Sequence, residues 1–342
     1  MLKHRLVVAA WLGFALFAFL GKGNARDSTS GQTTMENDSK TDRLTAKDVD
    51  NMMSDLSNWG RWGKDDQLGT LNFITPEARK RAAKEVREGV AISIARNAIT
   101  QKESGSPPFE HKMVRTGQDP NAPGSDDAYA VQYHGFTQTH LDALCHLFYK
   151  GKMYNGFSQQ DVTENGASKL SVINMKNGLF VRAVLVDIPR LKGVTYLKGR
   201  VAIYPKDLDA WLTKTRTRLH PGDAILIRTG RWARRDAEGA WEIEKGSAGL
   251  DARCLPWLRK HDVSILGSDL ASDVLPSNVD GVFMPIHQAV IIAMGTPILD
   301  NCDFDALSEA ANARKRWSFL LTAAPLAVEG GTGSPINPIA IF

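Results

Sequence analysis

The sequence predicts a single mixed α/β domain built around a mostly buried sheet. Three observations lead there. Short apolar runs at 180–187, 224–229, 263–267 and 318–324 have strand length and lack the polar alternation of a half-exposed sheet. Segments of helical character, notably 206–219 and 305–316, lie between several of these runs. Beyond residue 55 no internal repeat, Gly/Ser tract or charge run divides the chain, and the remaining stretch of about 285 residues is long enough for one large core.

The elements follow in order. Thr75-Pro76-Glu77 supplies an N-cap, a proline at the first helical position and an acid in the first turn. The helix it opens is expected to run through Val86 and stop at Gly89. Val90 to Ala95 reads as a strand. Pro107, Pro108, Gly117, Pro120, Pro123 and Gly124 mark residues 100–128 as a loop. After the strand at 180–187 come the amphipathic helix 206–219, a turn at His220-Pro-Gly-Asp223 and the buried strand 224–229. Leu255 to His261 closes another helix before the strand 263–267. Helix 305–316 then leads into the strand from Ser318.

The N-terminus resembles a secretory signal. Lys3 and Arg5 form a positive region, Leu6 to Leu20 are apolar, and Gly23-Asn24-Ala25 offers the small residues of a cleavage site. The apolar run of about 15 residues is short of the roughly 20 that span a bilayer, which favours cleavage after Ala25 over a retained anchor. The expected organisation is a signal peptide at 1–25, a polar linker at 26–55 and the domain at 56–342. It implies a periplasmic or secreted protein with no stable membrane insertion after cleavage. The chain's net charge of +4 includes Lys3, Arg5 and Lys22, so the mature chain is close to neutral and offers no footprint for nucleic acid. Three cysteines without a CxxC pair do not make a disulfide framework.

The chemistry concentrates in one segment. His134-Gly-Phe-Thr-Gln-Thr-His140-Leu-Asp142-Ala-Leu-Cys-His146 places three of the chain's eight histidines and a carboxylate within thirteen residues. On a strand, alternate side chains share a face, so His140 and Asp142 point the same way, with Gln138. Imidazole nitrogen and carboxylate oxygen on one face suit a divalent cation such as zinc or manganese. His146, four residues past Asp142, can swing back over that site as a proton carrier without binding the ion. Cys145 beside it invites a nucleophile assignment, but alternation turns it away, and free cysteine is more often a small buried hydrophobe. His134 and His111 read as ordinary loop or strand-edge residues and stay outside the ligand set. His220 and His261 read as structural.

The segment resembles the H-x-G-T-H-x-D-x-P-x-H signature of the cyclase-like metal-dependent hydrolases, which include bacterial kynurenine formamidase and isatin hydrolase. Further resemblances lie at 62–72, 223–230, 267–269, 287–301 and 333–338, in the family's order. The resemblance implies a swivelling β/β/α fold and metal-assisted hydrolysis of an aryl formamide or a lactam. It adds His287 and Asp300 to a ligand set of His140, Asp142 and Gln138, keeps His146 as the catalytic acid–base, and suggests a homodimer. It also carries a polyketide-type cyclase as a rival activity.

This chain departs from the signature at three positions. Phe136 stands where the family's first histidine falls, Gln138 replaces its glycine, and Leu144 replaces its proline. Gln138 can fill the vacancy through its amide oxygen, or line the pocket. Loss of the nitrogen at Phe136 favours one metal over two. If the site has decayed there, a protein that merely binds a small molecule becomes the alternative. Asp300 follows His287 by thirteen residues, a shorter acid at a shifted spacing compared with the family's glutamate.

Overall fold

The computed structural model describes residues 43–103 and 106–342. The signal and most of the polar segment lie outside the described residues. Nine strands form the main sheet: β1 Ala91–Ser93, β2 His140–Asp142, β3 Leu179–Asp187, β4 Ala224–Arg228, β5 Ile265–Ser268, β6 Ile298–Asp300, β7 Ser318–Ala323, β8 Gly333–Pro335 and β9 Ile339–Ile341. Their spatial order is β1-β9-β7-β3-β4-β5-β6-β2-β8.

The middle of this sheet is parallel, from β3 through β4 and β5 to β6. Both flanks are antiparallel. Every residue of β4 and β5 is buried, as expected of strands covered on both faces. The expected mixed α/β domain with a buried sheet is therefore what forms, and its strands fall within one or two residues of the apolar runs that announced them.

Helices complete the packing. Helix α1 spans Ala46–Asp55, α2 Pro76–Ala83, α3 Ile188–Lys192, α4 Pro205–Thr215, α5 Arg231–Glu238, α6 Leu255–Lys260, α7 Pro285–Gln288 and α8 Asp305–Arg314. Trp211 of α4 is buried, and its indole N–H donates to the Leu185 carbonyl of β3 at 2.8 Å. Helix α2 is capped by Thr75 as expected, but ends at Ala83 rather than near Gly89.

Two expectations change. The polar linker does not reach residue 55, because α1 occupies its end. Thr45 and Asp48 form a reciprocal capping box, and Val49 and Met53 are buried one helical turn apart. Averaged composition hid this single apolar stripe among polar neighbours. Within 100–128, Glu110–Arg115 pairs with Asp126–Ala130 as an antiparallel hairpin. Every residue of its two strands is exposed, so no buried face wrote an apolar alternation into the sequence.

Close backbone approach fixes Gly69 as a glycine. Gly69 has φ +57°, and a Cβ there would lie 1.9 Å from the Gly295 carbonyl oxygen. Gly60 has φ +74° with open space around it. Gly69→Ala is expected to lower stability by at least about 2 kcal/mol, and Gly60→Ala by about 1 kcal/mol. Denaturant unfolding of both variants checks this; equal losses would mean that backbone conformation, not crowding, sets the cost.

Candidate metal centre

The site forms where β2 lies between β6 and β8. Asp300 of β6 is directly opposite His140, and Gly333 of β8 is opposite Asp142. Strand β2 is only three residues long, yet alternation holds within it: His140 and Asp142 share a face, with His140 Nε2 3.3 Å from Asp142 Oδ1. Both are almost wholly buried.

Helix α7 brings in His287. Its Nε2 lies 3.0 Å from Asp300 Oδ2 and 3.9 Å from Asp142 Oδ2. Its Nδ1 meets Asp273 Oδ2 at 2.9 Å, and Asp273 also accepts the backbone N–H groups of Ile286 and His287. Asp273 thus orients the ring, the role an outer carboxylate plays for a ligating histidine. The chain passes into one π-helical stretch, Ala289–Ala293, directly after α7.

His134 is the correction that matters most. It belongs to the site: its Nδ1 lies 2.8 Å from Asp142 Oδ1, and its Nε2 is 2.9 Å from the Thr332 hydroxyl. It lies six residues before His140, and the intervening turn restores in space the nitrogen that Phe136 removes in sequence. Two triads result, His134–His140–Asp142 and Asp142–His287–Asp300, each with ligand atoms within 4.8 Å of one another. They share Asp142, so the argument from Phe136 for a single ion no longer holds.

Gln138 is the opposite case. It precedes β2, and its amide pairs with Ile99 on both sides. The Ile99 N–H donates to Oε1 at 3.2 Å, and Nε2 donates to the Ile99 carbonyl at 2.9 Å. The oxygen expected to ligate is occupied by backbone.

His146 returns through a turn, not a helix; its N–H donates to the Ala143 carbonyl at 3.0 Å. Its ring stacks on His134 with centroids 3.8 Å apart and planes 5° from parallel. Its Nε2 is 3.9 Å from Asp142 Oδ1, beside the cluster rather than within either triad. Burial pushes its pKa down to about 4, despite the opposing pull of Asp142, so the ring is neutral at neutral pH. Cys145 is buried and its thiol is pushed up to about 12, which leaves it inert as a nucleophile. His111 pairs with Asp127 on the exposed hairpin, and His261 rests on the Trp257 carbonyl.

The residues fit a divalent cation. Both oxygens of Asp142, Oδ1 of Asp300 and Nδ1 of His134 are buried without a hydrogen-bond partner among the described residues. Buried polar atoms left without a hydrogen bond are costly unless a compensating charge joins them. The local field points the same way. Burial alone would lower His140 and His287, but Asp142 and Asp300 raise the first, and Asp300 and Asp273 raise the second well above its usual value. Burial alone would raise Asp142, but the histidines around it hold it well below the carboxylate range. His140 Nδ1 donates to the Gln138 carbonyl at 2.8 Å, which turns the Nε2 lone pair toward Asp142.

His134→Ala is therefore expected to weaken metal binding strongly, because it removes one of the three donors of its triad. Gln138→Ala is expected to leave the metal dissociation constant unchanged. Chelator competition on both variants tests the pair, and a large loss in the Gln138 variant would return that residue to the ligand set.

Comparison with known proteins bears on the fold. A family model described as putative cyclase matches residues 74–273. A solved structure described as a novel cyclase is 30% identical, with a TM-score of 0.76 over 85% of this chain and 99% of its own. Isatin hydrolase A from Labrenzia aggregata, solved with benzyl benzoate, is 17% identical with a TM-score of 0.55, over 76% of this chain and 94% of its own. Isatin hydrolase A from Ralstonia solanacearum is 18% identical with a TM-score of 0.53, over 77% and 95%. At that distance the isatin hydrolases share the fold. No curated protein matches the chain. From the family match and the 30% identical structure, the chain belongs to the putative cyclase family.

Proposed function

We propose that the protein is a metal-dependent hydrolase that cleaves a C–N amide bond in an aryl formamide or a lactam. The observation that carries this reading is the buried Asp142 carboxylate, unpartnered at both oxygens and ringed by four histidines. His134, His140 and Asp142 would hold one ion, and Asp142, His287 and Asp300 a second; zinc or manganese suits such N/O donors. A bound divalent ion lowers the pKa of water toward neutrality and polarises a carbonyl.

The chain's own groups supply the rest. His146 is neutral, stands beside the donors and is held flat against His134. Its ring can accept a proton from water and release it to the departing amine nitrogen. Asp273 keeps His287 in place. An apolar cluster of Ile243, Leu270, Ala271 and Leu275, with Phe136, Trp241 and Met284 against it, flanks the segments that carry His134 and His287. The four core members are buried, but Phe136, Trp241 and Met284 are half-buried, and their apolar faces would suit an aromatic or otherwise apolar acyl or amine group.

The isatin hydrolases, which share the fold, make a cyclic amide a natural first substrate to test. His134 would fill the vacancy at Phe136 that favoured a non-catalytic binding protein. Export through residues 1–25 would place the enzyme in the periplasm or outside the cell, where scavenging or detoxifying amides fits better than an intracellular pathway. The homodimer suggested by the family resemblance belongs to the same proposal.

His146→Ala is expected to retain metal and lower kcat by roughly 10²–10⁴-fold, the usual worth of a positioned acid–base group. Metal content and kcat on formamides, lactams and lactones, measured on one preparation, decide it. Metal lost in proportion to activity would make His146 a ligand. Turnover of lactones alone would move the bond from C–N to C–O.

A further inference from the structure

We propose that Arg231 and Asn301 form a clamp that positions His134 and His140 for the metal, and that it is this clamp which lets a histidine six residues before His140 serve the site. The inference rests on the metal-centre reading above.

The segment from His134 to Gln138 has to turn sharply to bring both rings to Asp142. Gly135 takes φ +136° within it. Three carbonyls of this turn converge on two side chains. Asn301 Nδ2 donates to the Gly135 carbonyl at 2.8 Å and to the Gln138 carbonyl at 3.0 Å. Arg231 Nη2 donates to the Phe136 carbonyl, and Arg231 Nη1 donates to Asn301 Oδ1 at 2.7 Å. Arg231 is 4% exposed and Asn301 0%. The Asn301 amide therefore spends one acceptor and two donors inside the protein, a pattern that neither aspartate nor leucine can copy.

The clamp is itself anchored. Asn301 adopts φ +54°, a conformation that asparagine tolerates better than most residues, directly after Asp300. Its N–H donates to the Leu270 carbonyl, and its carbonyl accepts the Thr139 hydroxyl at 2.8 Å. Arg231 opens α5, and Asp269 accepts the N–H groups of Thr229, Gly230 and Arg231 there. The Gln138 carbonyl links clamp to ligand, because it accepts from both Asn301 Nδ2 and His140 Nδ1. One carbonyl thus fixes the ring orientation of His140 while its neighbours fix the turn that delivers His134. Neither Arg231 nor Asn301 is part of the two donor triads, so both act through the histidines.

Zinc affinity of the full chain, measured with Zn²⁺ alone by chelator competition, tests the clamp without a substrate. Asn301→Ala and Arg231→Lys are expected to weaken zinc binding by about 10–100-fold, the range for outer groups that orient ligands. The Lys variant keeps the charge but loses the fork that spans two acceptors. In a His134→Ala background the Arg231→Lys loss is expected to shrink several-fold, because the ligand it positions is gone. Unchanged affinity in the folded fraction of the single variants overturns the clamp, as does an Arg231→Lys loss of equal fold with and without His134. If Asn301→Ala does not fold, the Arg231→Lys cycle still decides. Wild-type protein that binds no zinc or manganese would instead bring down the metal centre, and the clamp with it.

Discussion

The structure turns on one buried carboxylate. Asp142 sits at the centre of the sheet's antiparallel flank, almost wholly removed from water, with no hydrogen-bond donor aligned on either oxygen. Burying an uncompensated charge costs several kcal/mol. Four imidazoles surround it: His134, His140, His146 and His287 all approach Asp142 within 4 Å. Asp300 and Asp273 add further negative charge behind His287. The sum is a pocket of buried acceptors whose field calls for a cation.

The sheet exists to hold that arrangement. A three-residue strand carrying both His140 and Asp142 is stable only because β6 and β8 hydrogen-bond to it from either side. The same register sets Asp300 across from His140. The fully buried parallel strands β3, β4 and β5 supply the rigid body against which β6 is aligned. Loops then add what the strand cannot carry. His134 arrives on the turn before it, His146 on the turn after it, and His287 on α7. Division of labour between a rigid sheet and adaptable loops explains how the chain keeps a complete donor set while departing from the family's spacing.

That departure shows how a signature can be satisfied in space and broken in sequence. Shifting the first histidine by two residues would ordinarily carry its ring to a different place. Here the extra residues are absorbed by a turn that begins at Gly135, and Gln138 is drawn off to the Ile99 backbone instead of competing for the ion. The stacking of His146 on His134 depends on the same turn, so the two rings are placed by one local conformation.

The sequence alone determined the mixed α/β class, the main apolar strands, and the pairing of His140 with Asp142. Those features are local: an apolar run of strand length and a period of two are written into adjacent residues. It also pointed to His146, from its place four residues past Asp142, and to His287 and Asp300 through a family resemblance. Only the tertiary structure decided the places of His134, Gln138, Asp273, Arg231 and Asn301. Their roles depend on which partner they meet. Gln138 has the right alternation for the metal face, yet the Ile99 backbone, 39 residues away in the chain, takes its amide. His134 lacks the alternation and the spacing, yet a turn held from residues 231 and 301 brings it in. Helix α1 and the exposed hairpin belong with them. One has a single apolar stripe that gains meaning only against the core, and the other has no buried face to leave a pattern. Strand and helix periodicity records what a residue does with its neighbours in sequence. A metal site records what distant segments do with each other.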